Sequence, residues 1–165
     1  MREGASLESI LEIEAYALKD LDDVARQLLM KLPDNGVIAL HGGMGVGKTT
    51  LVKTLCRMLG VVDEVTSPTY GVVNVYEIPG EDKVPRRKIH HIDLYRLKDE
   101  VEAQEAGVFD AFEQQGLSFV EWPERIYSSL PDHVWLIKME ESMSETSSET
   151  SNAKRRLTLL RQIRS

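Results

Sequence analysis

Residues 42–49 read Gly-Gly-Met-Gly-Val-Gly-Lys-Thr, an unbroken match to the pattern Gly-x-x-x-x-Gly-Lys-Ser/Thr, which works only between a strand and a helix. Both flanks fit. Val37 to Leu40 is a short, wholly apolar and partly β-branched run, as expected of a central strand covered on both faces. After the loop, Leu51, Val52, Leu55, Cys56 and Leu59 recur at helical spacing, with Gly60 placed to stop the helix. In this setting the glycines let backbone N–H groups curl round a β-phosphate. Lys48 offers a point charge to the β and γ oxygens, and Thr49 a hydroxyl to Mg²⁺. The positive end of the following helix points at the same place. The pattern therefore predicts ATP and Mg²⁺ held at Gly42 to Thr49. No Asn-Lys-x-Asp element of the kind many GTPases carry is present, which favours ATP.

The 165 residues are about one domain's length and bury a sizeable core without disulfides, so 1–165 is read as a single domain. Cys56 is the only cysteine, which rules out an internal disulfide, and its apolar neighbours give it a core position. Near the start, Leu11, Ile13 and Ala15 alternate with polar residues as in a strand with one wet face. A helix follows, capped by Asp20, with Val24, Leu28, Leu29 and Leu32 on one face and Pro33 to Gly36 ending it. Val72 to Ile78 and Arg86 to Ile92 read as a hairpin around Pro79-Gly80, and Asp99 to Gln115 as helical turns broken at Gly107. Leu117 to Val120 and His133 to Lys138 are further buried strands. The segment Glu140 to Asn152, EESMSETSSETSN, has Met143 as its only apolar residue and is expected to be a flexible loop at 140–152. Leu157 and Leu159 alternate with Arg156 and Thr158, so the chain is expected to return to the sheet. Strands alternating with helices predict an α/β fold: a P-loop NTPase three-layer sandwich, with a mostly parallel central sheet and a β-hairpin insertion.

A P-loop hydroxyl shares its metal with a carboxylate that ends a neighbouring strand. Asp93 closes the strand 88–92 and Glu121 closes 117–120, where α/β sheets bind ligands. One is suited to metal and the other to orienting water, and spacing alone does not say which. Adjacent His90 and His91 face opposite sides of a strand and lack any His-Glu-x-x-His or Cys partner, so they read as structural. The runs Arg86-Arg87-Lys88 and Lys154-Arg155-Arg156 read as solvated strand ends. Trp122, beside Glu121, is placed either to shape the site or to pack.

Four blocks in order, LHGGMGVGKTTLVKTL, TSPTYGVVNVY from Thr66 to Tyr76, HIDLYRL from His91 to Leu97, and VEWPERI from Val120 to Ile126, closely resemble the TsaE (YjeE) ATPases of bacterial tRNA threonylcarbamoyladenosine synthesis. With the framework between them the resemblance covers about residues 10–140. It implies a Mg²⁺-dependent ATPase, weak alone and stimulated by partners, that supports the t6A modification of adenosine 37 in tRNA. The implied partners are the proteins TsaD and TsaB, whose transferase complex ATP binding and hydrolysis would reset, with tRNA met indirectly. By motif, Gly45, Val46, Gly47, Lys48, Thr49 and Thr50 would contact ATP, Thr49 and Glu121 would take Mg²⁺, and Asp93 would be the carboxylate needed for hydrolysis. Ser67, Pro68 and Thr69 would form a switch-like loop near the γ-phosphate. The chain departs from the family at Gly43, where an acidic residue is usual, and in its Ser/Thr/Glu segment.

Two rivals use the same loop. A small-molecule kinase needs an Arg-bearing lid, for which Arg125 and the Arg86-Arg87 turn are the candidates. A nucleotide-gated binding module would use ATP as an assembly signal with negligible turnover. The net charge of −7 argues against a stand-alone DNA or RNA binder. No apolar run approaches the roughly 20 residues that span a bilayer, and the N-terminus interrupts its apolar residues with acids. A cytoplasmic protein is expected.

Overall fold

The computed structural model describes residues 5–68, 71–80, 87–142 and 154–164. Its strands are β1 (Ala5–Tyr16), β2 (Gly36–His41), β3 (Val73–Ile78), β4 (Arg87–Asp93), β5 (Gly116–Glu121), β6 (Val134–Ser142) and β7 (Lys154–Arg164). The helices are α1 (Leu21–Leu29), α2 (Lys48–Met58), α3 (Glu100–Glu105) and α4 (Val108–Glu113), with 3-10 turns over Leu18–Asp20 and Pro123–Ser129.

One sheet runs β1-β7-β6-β2-β5-β4-β3. β2 lies between β5 and β6 and is parallel to both, and β4 is parallel to β5. The pairings β1–β7, β6–β7 and β3–β4 are antiparallel. The sheet is therefore mixed, which corrects the expectation of a mostly parallel one. The cause lies at the edges: β7 returns antiparallel beside β6, and β1 adds antiparallel to β7. On the opposite side, β3 and β4 pair with Val73 opposite Ile92 and Ile78 opposite Arg87, the hairpin that the sequence predicts.

Alternation along β2 divides the core. Ile38 and Leu40 join the apolar cluster under α1 and α2, with Leu51, Leu55, Cys56 and Leu157. Val37 and Ala39 join the cluster on the other face, with Ala103, Val108, Ala111 and Ile126 from α3, α4 and the Pro123–Ser129 turn. Helices thus cover both faces. Fully burying a Val, Leu or Ile side chain contributes about 1.5–3 kcal/mol relative to leaving it in water; β2 draws this from Ile38 and Leu40 on one side and from Val37 on the other, which holds it firmly beneath the loop that follows.

Local chemistry departs from expectation at two points. Asp20 does not cap α1 through its side chain; its Oδ2 instead accepts from Ala17 N–H at 2.9 Å, holding the 3-10 turn that precedes the helix. Glu140, Glu141 and Ser142, expected in the flexible segment, extend β6 and pair with Arg156, Arg155 and Lys154. The rest of that segment lies outside the described residues. Among the described residues no helix is long and apolar enough to cross a membrane.

Candidate functional site

The loop leaves β2 at Gly42, where a Cβ would come within 2.5 Å of the Met139 carbonyl oxygen. Only glycine permits so close an approach between loop and β6. Gly47, at φ +107°, takes the left-handed conformation at the N-cap of α2, a turn that a side chain would strain. Val46 instead buries its side chain in the core, 2 % exposed. Its carbonyl accepts from Arg155 Nε at 2.8 Å. Arg155, expected among solvated residues, thus fastens β7 to the loop. Its phase with Leu157 and Leu159 was the available signal: on a strand those three residues share a face, and the two leucines are fully buried.

Lys48 is only 4 % exposed. Its Nζ donates to the carbonyls of Gly42 at 2.6 Å and Gly43 at 3.0 Å and sits 3.8 Å from the centre of the Trp122 ring. Burial draws its pKa below the ordinary lysine value, while the charges of Glu121, Glu124 and Asp93 act against that shift. The result is a desolvated ammonium ready for an incoming anion. Trp122 holds φ 59° and ψ 48° ahead of Pro123, a left-handed conformation that costs a bulky residue on the order of 1–3 kcal/mol. Its ring also lies 5.0 Å from that of Tyr95.

The carboxylates converge because β4 and β5 are in register, with Asp93 opposite Glu121. Thr49 Oγ1, in the first turn of α2, lies 2.8 and 2.9 Å from the two Glu121 oxygens. His91 Nε2 is 2.9 Å from Glu121 Oε1, so one of the two histidines read as structural touches the site. His90 faces the other way, toward Ser118 and Gln114. Asp93 Oδ2 accepts from Ser67 Oγ at 3.2 Å, and Oδ1 from Tyr95 N–H at 3.0 Å. Pro68 is buried, and Thr69 lies outside the described residues.

Gly45, Gly47, Lys48, Thr49, Thr50, Asp93 and Glu121 therefore border one open cleft of about 270 Å³, which Met44, Tyr95 and Trp122 complete. The donor set suits a phosphate chain carrying a hard cation: an ammonium, a helix N-terminus, a hydroxyl and carboxylates. Among the described residues no three His, Cys, Asp or Glu side chains gather as a metal group. An ion beside Thr49 and Glu121 would thus take most of its oxygens from phosphate and water. A second hollow of about 390 Å³, lined by His41, Gly42, Gly43, Val46 and residues 139–141, adjoins the loop and shares only Met44 with the first.

The family model for "Threonylcarbamoyl adenosine biosynthesis protein TsaE" matches residues 16–151. The chain belongs to the TsaE family. A curated tRNA threonylcarbamoyladenosine biosynthesis protein TsaE from Synechocystis is 39% identical over 122 residues, 72% of this chain and 74% of that protein. Its counterpart from Haemophilus influenzae is 34% identical over 116 residues, 69% of this chain and 70% of that one. Among solved structures, Bacillus subtilis YdiB aligns over 94% of this chain and 87% of its own, with a TM-score of 0.66 at 22% identity, a likeness of fold. The TsaE match spans the glycine-rich loop, β4 and β5, the elements that build the cleft.

Proposed function

We propose that this TsaE-family chain is a Mg²⁺-dependent ATPase of tRNA threonylcarbamoyladenosine (t6A37) synthesis, acting in the cytoplasm to reset the TsaB–TsaD transferase complex. It meets tRNA through that complex. Its architecture is read as a P-loop NTPase three-layer sandwich whose sheet is mixed. The observation that carries the reading is the convergence of Lys48, Thr49, Asp93 and Glu121 on one cleft at the N-terminus of α2. The family's pathway, named in its description, supports the placement in t6A synthesis.

In this reading the main chain of residues 45–50 cradles the phosphates of ATP, and Lys48 leaves the Gly42 and Gly43 carbonyls to meet the β and γ oxygens. Thr49 and Glu121 would hold Mg²⁺, which would supply positive charge to offset the negative charge on the phosphates. Asp93, with Ser67 beside it, orients the attacking water and accepts its proton. The hollow flanking the loop leaves room for the nucleoside.

Equilibrium binding of a fluorescent ATP analogue to the wild type and to Lys48→Ala tests this assignment. The variant should bind at least roughly tenfold more weakly, about 1.4 kcal/mol or more. Equal affinity would remove the cleft from nucleotide binding.

A further inference from the structure

Among the described residues Glu121 has two side-chain partners, Thr49 and His91. Thr49 Oγ1 reaches both carboxylate oxygens, but a hydroxyl carries a single hydrogen. If Thr49 turns a lone pair to a divalent ion, its hold on Glu121 weakens as the ion arrives. The remaining donor is His91, whose Nε2 stands 2.9 Å from Oε1.

Three observations argue that His91 does more than fill space. It is fully buried, on a β4 position two residues before Asp93 and hence on the same face of the strand. A carboxylate only accepts, so the shared hydrogen sits on Nε2, and Nδ1 takes no part in that bond. Nδ1 is buried and has no hydrogen-bond partner among the described residues. An apolar side chain of the same volume would pack there without an unpartnered polar atom, so the imidazole must return something for it. What it returns is a fixed hydrogen bond to Glu121, from a backbone locked in register with β5.

We propose that His91 is a positioning residue for the metal site: its Nε2–H reserves Glu121 Oε1 and leaves Oε2 to meet the cation. A partner of this kind around a metal ligand sets the ligand's orientation, and its loss typically weakens metal affinity by about 10–100-fold. The inference rests on the reading of Thr49 and Glu121 as the Mg²⁺ pair.

The test compares His91→Gln, whose amide nitrogen stands as many bonds from Cβ as Nε2 does, with His91→Asn, whose amide nitrogen stops at the Nδ1 position. ADP binding is measured by calorimetry at stepped Mg²⁺ concentrations and in EDTA, with Glu121→Gln as control. His91→Asn should raise the half-saturating Mg²⁺ concentration by roughly tenfold or more and leave EDTA-state ADP affinity as in the wild type. His91→Gln should stay near the wild-type Mg²⁺ requirement. If Glu121→Gln raises the requirement and His91→Asn does not, or if the Gln and Asn variants shift alike, the positioning role is overturned. If Glu121→Gln itself leaves the requirement unchanged, the metal assignment of Glu121 fails, and the role of His91 falls with it.

Discussion

Asp93 and Glu121 are register partners at the ends of two parallel strands, yet their carboxylates have separate attachments: Glu121 is tied to Thr49 and His91, and Asp93 to Ser67 and the Tyr95 main chain. The proposed function rests on that difference: it gives Mg²⁺ to Glu121, which shares the Thr49 hydroxyl, and the water to Asp93, which stands one strand away and is partly exposed to the cleft. Asp93→Asn is expected to keep ATP affinity within about threefold and to lower turnover roughly 10²-fold or more, the range for loss of a positioned base. Single-turnover hydrolysis and equilibrium binding on the same preparation check both halves. Unchanged turnover would remove Asp93 from the reaction.

Arg155→Ala cuts the bond from β7 to the Val46 carbonyl. A hydrogen bond from a charged donor in a half-buried setting contributes about 1–3 kcal/mol, so the melting temperature should fall by roughly 2–12 °C. The freed loop should also bind ATP several-fold more weakly. Arg155→Lys should restore little, because an ammonium lacks the planar guanidinium that delivers Nε–H to that carbonyl. Differential scanning fluorimetry with and without ATP separates the two effects.

Gly42→Ala places a methyl group within 2.5 Å of the Met139 carbonyl, so either the loop or β6 must move. Loss of ATP binding together with a lower melting temperature is expected. A variant with wild-type affinity would show that the loop's path is not set by its contact with β6.

Tyr16 and Cys56 predict how the fold responds to alkali. Burial pushes the Tyr16 phenol and the Cys56 thiol each up to about 12, from ordinary values of 10.0 and 9.0. Both are acids with raised native pKa values, so the unfolded chain ionises first. Stability is whole below pH 9 and is lost as pH rises toward 12. Tyr16→Phe should narrow that loss. At neutral pH it should also match or exceed wild-type stability, since the buried Tyr16 hydroxyl has no hydrogen-bond partner among the described residues. Thermal melts at pH 7.5 and 10.5 check both, and Cys56 should resist thiol reagents until the chain unfolds.

The loop, β2 and the strand-end acids were legible because each rests on local pattern: a glycine spacing, an unbroken apolar run, a carboxylate directly after buried residues. The hairpin was legible from Pro79-Gly80 and its flanking alternation, and the break between α3 and α4 from Gly107. Strand direction was not. The pairing of β1 with β7 joins Tyr16 to Arg155, residues far apart in the chain, and alternation is the same in parallel and antiparallel strands. Two contacts of the site were present in the periodicity but obscured by residue type. Arg155 shares a phase with Leu157 and Leu159, and His91 with Ile89 and Asp93; each looked like surface or filler until its partner was in place. The stacking of Trp122 with Tyr95 and its contact with Lys48 depend on tertiary approach alone.

Phosphate release from ATP with Mg²⁺, measured for the chain alone and with purified TsaB and TsaD, tests the central claim most directly. Slow release alone, rising severalfold with both partners and absent in Lys48→Ala, is the predicted result. Release that the partners leave unchanged, or that persists in Lys48→Ala, would contradict an ATPase that resets the transferase complex.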